Sequence, residues 1–415
     1  MRAGPKKAAP ARTVDPLAGF DGSTSVPNPV GLVEVDRVLG GGLVAGSVTL
    51  LSGEPGIGKS TLTLQVACSV ASTGAGVVLV TGEEAPSQVA ARAARFGVVP
   101  PSLMVLDDTS VDTIVSTLAA ERPAVAVIDS IQTLRVPELD ASPGSVSQVR
   151  EAAARLVTVA KSSGTSLIII GHVTKDGALA GPRLLEHVVD TVLSFTGDRH
   201  HELRFLRAVK HRFGPTTDVG LFEMTGAGLD AVADPSGRFL ADRQIDASGS
   251  IVVPALDGHR PVLVEVQALA SPHGERPAAI QAEGLSTSRV KLVCAVLEQR
   301  AGVSTFGQQV FTSVAGGADV TEPGADLGVA LAVASAIADR SFPAEIVTCG
   351  EIGLSGEVRS VPQLERRLSE AHRLGFRSAI VPRSAAVGPV GMRLIRVGTV
   401  AEAVEQMPAP VGAAF

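Results

Sequence analysis

The sequence of 415 residues has no Trp and no Tyr, and 12 Phe supply its aromatic surface. We therefore expect no broad platform on which nucleic-acid bases stack. Its three cysteines, Cys68, Cys294 and Cys349, are widely spaced, which excludes a disulfide scaffold or a multi-cysteine zinc site and favours the reducing cytoplasm. The longest apolar stretch, residues 328–338, is too short to cross a bilayer, so we expect no membrane partner.

The remaining composition is that of a folded protein with substantial cores. Apolar residues make up 45% of the chain and charged residues 19%, which excludes a disordered chain, and the length suits two domains. The 36 Lys and Arg are outnumbered by 42 Asp and Glu, which gives a formal charge of −6. This balance argues against a globally basic nucleic-acid binder but leaves room for a local basic strip.

The first half of the chain alternates between strand and helix patterns. Apolar runs predict strands at 47–52, 76–81, 103–106, 124–129 and 166–171. Amphipathic segments predict helices between them, at 59–72, 86–96, 111–121 and 146–161. This alternation predicts a mainly parallel sheet with right-handed crossovers. Later strands, at 191–195, 202–210 and 218–224, have no long helices between them and are predicted to be antiparallel.

A second unit follows a segment rich in Gly, Ala, Asp and Ser at 226–250. Its predicted strands are 251–253, 262–268, 345–349 and 379–381, and its predicted helices are 287–299, 326–338 and 364–374. The chain is therefore divided into a disordered leader at 1–29, a first domain at 30–235, a linker at 236–250, a second domain at 251–408 and a tail at 409–415.

A phosphate-binding motif lies between the first predicted strand and the first long helix. Residues 53–60 match G-x-x-x-x-G-K-[ST], whose glycines let backbone N–H groups point at phosphate oxygens next to the positive end of a helix. We expect Lys59 to neutralise the β- and γ-phosphates of ATP and Ser60 to bind Mg²⁺. The alternative is an ordinary glycine turn before a helix. The predicted nucleotide-binding residues are Gly53, Glu54, Pro55, Gly56, Ile57, Gly58, Lys59, Ser60 and Thr61.

Carboxylates at the ends of two predicted strands are candidates for the chemistry of hydrolysis. Asp129 ends an apolar strand, and in a P-loop fold such an Asp lies beside Mg²⁺, often through water. Glu83 and Glu84 follow the strand that ends at Thr81. Parallel strands bring their C-terminal ends to the ligand edge of a sheet, so one of these glutamates is expected to orient or deprotonate water. A solvated acidic turn is the alternative.

Several motifs together resemble one protein family. The strings LGGG (39–42), GEPGIGKST (53–61), TGEE (81–84) and VIDSIQTL (127–134) resemble a RecA-like ATPase core. The strings IGHVTKDG (170–177), AGPR (180–183) and KHRFG (210–214) narrow the resemblance to the bacterial RadA/Sms DNA-repair family. The strings EVQALA (265–270), GEIGLSGEVRSV (350–361) and EAHRLGFRSAIVP (370–382) resemble that family's Lon-protease-like domain. The implied fold class is an α/β, RecA-like P-loop ATPase domain followed by a smaller, Lon-protease-like α+β domain.

This resemblance implies an ATP-driven motor. It implies a homo-oligomeric ring, expected as a hexamer, that hydrolyses Mg²⁺-ATP on single-stranded or branched DNA, with branch migration or unwinding as the result and RecA as a partner. Glu83 matches the family's catalytic glutamate. Two alternatives stay open: a scaffold that ATP switches without movement, and an ATP-dependent protease.

Coupling to DNA is expected from loops at the ligand edge of the sheet. His172 matches a family position that senses the nucleotide and signals to a DNA-facing loop at about 173–183, which carries Lys175 and Arg183. A second candidate loop spans 135–148. Scarce aromatics favour contacts to the DNA backbone, with weak sequence preference and strong salt dependence. Surface loops without a DNA role are the alternative.

A basic segment suggests a further role. Residues 199–212 contain five Lys or Arg against one carboxylate. Lys210 and Arg212 match two cations of the family's signature motif, placed near a neighbouring subunit's nucleotide, where a cation stabilises transition-state charge. The family usually has Asn where this chain has His211, which could make the step pH-sensitive. A solvated hairpin face that is basic by chance is the alternative.

The sequence departs from the family pattern and from Lon proteases in two further ways. The family usually begins with a four-cysteine zinc module, but no cysteine precedes Cys68, so no zinc is expected in this chain. Lon proteases activate a serine with a lysine, but residues 322–327 contain no Ser or Thr and Arg367 aligns with the lysine. We therefore expect no peptidase activity. Arg289, Lys291 and Arg300 could present charge to DNA or form a solvated helix face.

Overall fold

Two large sheets organise the chain, and they confirm the α/β class that the alternating pattern predicts. The computed structural model describes residues 26–172, 184–197, 203–232, 234–245, 247–258, 260–272, 279–320, 322–386 and 388–408. Within these ranges the first sheet has nine strands and the second has seven. Across the same ranges, no helix combines the length and the apolar composition needed to cross a bilayer.

The first sheet has the strand order β3-β2-β4-β5-β1-β6-β7-β8-β9. Strands β1 to β6 are parallel, and β7, β8 and β9 are antiparallel. The prediction of antiparallel strands is confirmed for 202–210 and 218–224, but it is wrong for 191–195, because β6 pairs with β1 in parallel and is antiparallel only to β7. The elements are α1 Val33–Val38, β1 Val48–Gly53, α2 Lys59–Ser72, β2 Val77–Thr81, α3 Pro86–Ala93, β3 Leu103–Asp107, α4 Val111–Glu121, β4 Val125–Asp129, α5 Val146–Ser163, β5 Ser166–His172, β6 Thr191–Gly197, β7 Leu203–His211, β8 Val219–Thr225 and β9 Gly228–Ala231.

Helices cover both faces of the first sheet. Strands β1 and β2 are buried along their whole length, which is why their sequences are continuous apolar runs. Helices α1, α2 and α3 pack on one face, and α4 and α5 pack on the other. The parallel strands end together at one edge, here named the carboxyl edge, and begin at the opposite edge, here named the amino edge.

The second sheet has the order β12-β13-β11-β10-β14-β17-β18. Helices α7, α8 and α10 pack on one of its faces and α9 on the other. The elements are α6 Pro235–Leu240, β10 Ser250–Asp257, β11 Arg260–Pro272, β12 Ala279–Glu283, α7 Thr287–Arg300, β13 Gln308–Val314, α8 Asp326–Ala338, β14 Ile346–Thr348, β15 Glu351–Ile352, β16 Val358–Arg359, α9 Leu364–Arg373, β17 Ser378–Pro382, β18 Arg393–Val397 and α10 Val400–Val404.

The ends of the predicted domains differ in two places from the structure. Residues 26–29 belong to the fold rather than to a leader, because Asn28 exchanges backbone hydrogen bonds of 2.8 and 2.9 Å with Leu43. Part of the predicted linker forms α6, because Phe239 is buried and the Ser236 hydroxyl accepts the Leu263 N–H at 3.0 Å. The predicted tail at 409–415 lies outside the described residues.

Several contacts among the described residues join the two halves. Glu34 of α1, which is 2% exposed, accepts the Leu221 N–H of β8 and pairs with Arg260 of β11, both at 3.0 Å. The turn between β10 and β11 contacts the first half so closely that a Cβ at Gly258 would lie 1.7 Å from the Thr217 carbonyl oxygen. Leu203, at the start of β7, packs in the core of the second half. Strand β7 therefore borders both cores.

Candidate nucleotide-binding site

The phosphate-loop motif connects β1 to α2 at the carboxyl edge, as the sequence predicts. Gly56 and Gly58 have φ values of 77° and 112°, a region that favours glycine. A Cβ at Gly58 would lie 2.6 Å from Cε of Met224, and one at Gly53 would lie 2.3 Å from the Phe195 carbonyl oxygen. The glycines thus serve both the turn of the loop and its close packing on β6 and β8.

Lys59, the first residue of α2, turns its side chain back into the loop. Its ammonium group donates to the carbonyl oxygens of Gly53 and Glu54 at 2.9 Å each, and the residue is only 3% exposed. Burial lowers the pKa of Lys59, while the charges of Asp129 and Glu83 act in the opposite direction. Lys59 is therefore a positive charge held at the loop, with two carboxylates near it.

The two predicted carboxylate positions meet at the same edge. Thr81 pairs with Asp129 in the register of β2 and β4, and the Gly82 N–H donates to the Asp129 carbonyl oxygen at 3.1 Å. The Ser130 hydroxyl donates to the Glu83 carboxylate. Glu83 is thus oriented by Ser130, the residue that follows Asp129. No local pattern predicts this contact, because Glu83 and Ser130 are 47 positions apart.

Glu84 has different partners from Glu83. Its carboxylate pairs with Arg92 of α3, and its carbonyl oxygen accepts the Thr81 hydroxyl at 2.5 Å. Burial lowers the pKa of Arg92, and the nearby charge of Asp129 opposes that shift. Arg92 is a cation near the site that the sequence analysis missed; its place between buried Val89 and Ala93 on α3 was the available signal.

The donor atoms at this edge suit a magnesium ion. Ser60 supplies a hydroxyl at the start of α2, and Asp129 supplies a carboxylate at the end of β4; both are oxygen ligands of the kind that Mg²⁺ takes in company with phosphate and water. No group of three or more His, Cys, Asp or Glu residues that could hold a metal occurs in the described part of the chain. The three cysteines form no disulfide.

The predicted coupling residues are only partly described. His172 ends β5 and pairs with Gly53 in the register of β1 and β5, so its backbone lies beside the start of the phosphate loop. Lys175 and Arg183 lie outside the described residues.

The other candidate DNA loop is fastened to the fold. The buried Gln148 side chain accepts the Val136 N–H at 2.7 Å and donates to the Val136, Leu139 and Ala141 carbonyl oxygens. Between residues 135 and 145 the loop has one cation, Arg135, and two carboxylates, Glu138 and Asp140. This charge balance does not favour a phosphate contact by this loop.

Lys210 and Arg212 lie at the amino edge, opposite the phosphate loop. Strand β7 runs antiparallel to β6, so Lys210 pairs with Val192 near the start of β6. The Lys210 ammonium donates to the carbonyl oxygens of Glu186 and Val189 at 2.5 and 2.8 Å. Arg212 pairs with Asp190 at 3.0 Å, yet its side chain stays 51% exposed. The structure therefore brings these two cations together but separates them from the loop of their own chain.

His211, between the two cations, joins two segments of the amino edge. Its Nε2 lies 3.2 Å from the Leu39 carbonyl oxygen, which makes Nε2–H the donor, and its Nδ1 lies 2.9 Å from the Thr191 hydroxyl. Burial lowers the pKa of His211 below its ordinary value. This histidine thus fixes the segment that precedes the glycines at 40–42 against β6.

The position aligned with the Lon dyad is filled by an ion pair. Arg367 is fully buried and pairs with Glu322 through two nitrogens, and its Nη1 also donates to the Pro254 carbonyl oxygen at 2.9 Å. Next to it, Arg289 forms a bidentate pair with Asp326. Arg289 is thus engaged within the domain, which favours its structural interpretation over a contact to DNA.

Comparison with known proteins agrees with this geometry. The family model for an AAA domain matches residues 31–178, and the model for subunit ChlI of Mg-chelatase matches residues 287–385. DNA repair protein RadA of Pseudomonas aeruginosa is 48% identical over 380 residues, which cover 91% of this chain and 83% of that protein. DNA repair protein RadA of Bacillus subtilis is 46% identical (90% of this chain, 82% of that protein), and that of Mycobacterium tuberculosis is 43% identical (97% and 84%).

The sheet order and the phosphate loop at its carboxyl edge define a RecA-like P-loop ATPase domain, which a smaller Lon-protease-like domain follows. Identities of 43–48%, in alignments that cover more than four fifths of each of these three relatives, make the assignment specific. The chain belongs to the RadA family of DNA repair proteins.

Proposed function

We propose that this protein is a DNA repair ATPase that hydrolyses Mg²⁺-ATP between the subunits of a ring and thereby moves on single-stranded or branched DNA. The observation that carries this proposal is the division of catalytic groups between two edges of one sheet. The phosphate loop, Asp129 and Glu83 lie at the carboxyl edge, and Lys210 and Arg212 lie at the amino edge.

At the carboxyl edge, each residue has a role that its position supports. The N–H groups of residues 53–61 and the start of α2 bind phosphate, and Lys59 neutralises its charge. Ser60 and Asp129 would hold Mg²⁺, which would neutralise negative charge on the phosphate oxygens and so favour attack by water. Glu83, oriented by the Ser130 hydroxyl, accepts a proton from that water or aligns it.

At the amino edge, the cations are too far away to serve the same nucleotide. Strand β1 spans six residues, and at about 3.3 Å per residue the two edges lie roughly 17 Å apart. A lysine or arginine side chain does not bridge that gap. The half-exposed Arg212 is therefore suited to reach a phosphate bound by an adjacent copy, with Lys210 beside it. This division favours a homo-oligomeric ring, and we expect a hexamer.

The DNA-facing part of the proposal rests on family membership. The relatives are DNA repair proteins, which supports DNA as the molecule on which the protein acts. We carry over the cytoplasm as the location and RecA as a partner as expectations from the sequence. Because the loop at 135–148 is acidic on balance, we assign DNA contact to the loop at 173–183, with Lys175 and Arg183 as its cations and His172 as its link to the nucleotide.

Measurement of ATP turnover with and without single-stranded DNA, together with unwinding of a synthetic fork, tests the motor. We expect DNA to stimulate turnover and the fork to open only with hydrolysable ATP. Stimulated turnover without any unwinding or branch migration would instead favour the switched scaffold. Degradation of casein would contradict the structural role of the ion pair Arg367–Glu322 and favour a protease.

A further inference from the structure

An arginine from β7 contacts the phosphate loop from behind. Arg204 is only 9% exposed, and its Nε donates to the Ile57 carbonyl oxygen at 3.2 Å. Its Nη1 donates to the Leu203 carbonyl oxygen at 2.9 Å, which fixes the guanidinium against its own strand. The side chain packs on Gly197 of β6, where an added Cβ would lie 2.6 Å from Cδ of Arg204. The neighbouring strand therefore leaves room for this arginine.

The contact determines how one peptide group of the loop is turned. In a planar trans peptide the C=O and the following N–H point in opposite directions. By holding the Ile57 carbonyl oxygen, Arg204 also sets the direction of the Gly58 N–H, which belongs to the phosphate-binding motif. Gly58 has φ of 112°. Because glycine adopts positive and negative φ values about equally well, a contact from outside the loop is needed to select this conformation.

We propose that Arg204 is a positioning residue of the nucleotide site, which holds the Ile57–Gly58 peptide so that the loop is preformed for the diphosphate part of ADP and ATP. This inference rests on the proposed phosphate-binding role of residues 53–61. It adds a residue outside the motif, 147 positions from Ile57, and connects the phosphate loop to β7, the strand that carries Lys210 near its end.

A preformed loop binds phosphate more tightly, because an unsupported loop spends part of its time in conformations that do not bind. The variant Arg204→Met keeps the apolar stem and removes the donors, whereas Arg204→Lys keeps a charged donor. The matched control is Arg207→Met on the same strand, because positions 204 and 207 point to opposite faces and Arg207 lies over the Phe205 ring, 4.8 Å from its centre.

The test measures dissociation constants for ADP and for adenosine by titration calorimetry on the full chain, together with the unfolding midpoint without nucleotide. We expect Arg204→Met to weaken ADP binding about tenfold while adenosine binding and the midpoint stay as in the wild type. Arg204→Lys should recover most of the ADP affinity, and Arg207→Met should bind ADP normally. Equal ADP affinity in all variants, or an equal loss for ADP and adenosine, would overturn the proposal.

Two further variants complete the design. If Arg204→Met does not fold, Arg204→Gln, a neutral donor with a shorter reach, should weaken ADP binding at least threefold, and unchanged binding would contradict the proposal. The variant Lys59→Ala distinguishes a failure of the proposed phosphate-binding loop from a failure of the proposed role of Arg204. Normal ADP binding by Lys59→Ala would refute the phosphate loop itself, whereas weak binding by Lys59→Ala with normal binding by Arg204→Met would refute only the role of Arg204.

Discussion

The phosphate loop and the region around Arg367 and Glu322 in the second domain, here named the Lon-like cleft, use charge in opposite ways. At the loop, Lys59 donates to two backbone carbonyl oxygens, and Glu83 is exposed at the sheet edge. In the cleft, Arg367 is sealed from solvent and its charge is matched by Glu322. The charges at the loop are placed where a ligand could bind, whereas the charges in the cleft neutralise each other. The same chain thus has one charged site suited to binding a ligand and one charged site that stabilises the fold.

The prediction with the largest effect concerns the loop. Replacing Lys59 with Ala removes the positive charge on which phosphate binding depends, and we expect ATP turnover to fall by about a hundredfold or more. Turnover by the purified variant is compared with that of Lys161→Ala, an exposed lysine at the end of α5 that should behave as the wild type. Near-normal turnover by Lys59→Ala would show that the charge at the loop, like the charges in the cleft, is not needed for ATP hydrolysis.

The next prediction tests whether the site is completed by a second copy. Arg212→Ala should lose about a hundredfold or more in turnover while ADP affinity changes less than twofold, because the arginine lies at the opposite edge from its own loop. Mixing Arg212→Ala with Glu83→Gln should restore part of the activity, since some junctions then contain an intact Glu83 and an intact Arg212. Absence of recovery at every mixing ratio would argue for a site within one chain.

In the cleft, the expected effect is on stability. Removing one partner of a buried ion pair leaves an uncompensated charge, so Arg367→Met or Glu322→Gln alone should lower the free energy of unfolding by about 3–5 kcal/mol. The double variant should lose less than the sum of the two single variants, because neither charge is then left alone. Urea unfolding followed by circular dichroism measures all three. Additive losses would show that the pair contributes nothing as a pair.

The smallest effect is a pH dependence at the amino edge. Because burial lowers the pKa of His211, the unfolded chain takes up its proton at a higher pH than the folded chain. The free energy of unfolding should therefore be constant above about pH 6.5 for this group and should decrease as the pH falls below that value. His211→Asn should flatten this slope in unfolding curves between pH 5 and pH 7. An unchanged slope would assign the pH dependence to other groups.

Local patterns were sufficient to locate strands β1 to β8 of the first sheet and the motif at its edge, but not β9. Strands β1, β2, β4 and β5 are buried on both faces, so each appears in the sequence as a continuous apolar run. Strand β3, at the edge of the sheet, is partly exposed, but its sequence is also mainly apolar. Strands β12 and β13 were missed, because their inward positions alternate with partly exposed ones and give no such run. Helix α6 was missed because it has only six residues and depends on contacts to β11.

The candidate site was predictable where its residues form one motif or lie at the ends of parallel strands. The glycines and Lys59 form one motif, and the positions of Asp129 and Glu83 follow from the parallel register of β2 and β4. The contact of Arg204 with Ile57 joins residues 147 positions apart and has no local signature. One signal was available: Arg204 falls in the same alternate set as Leu206 and Ala208, so a charged residue faces the buried side of β7.

The turn at Gly258 has a mechanical consequence. It touches the Thr217 carbonyl oxygen, five residues beyond Arg212, and Arg260 beside it is tied to Glu34 of α1. A displacement of the segment that carries Arg212 therefore pushes directly on the Lon-like domain of the same subunit. If the subunits form the proposed ring and that segment shifts each time an adjacent nucleotide is hydrolysed, the Lon-like domain should shift with every turnover.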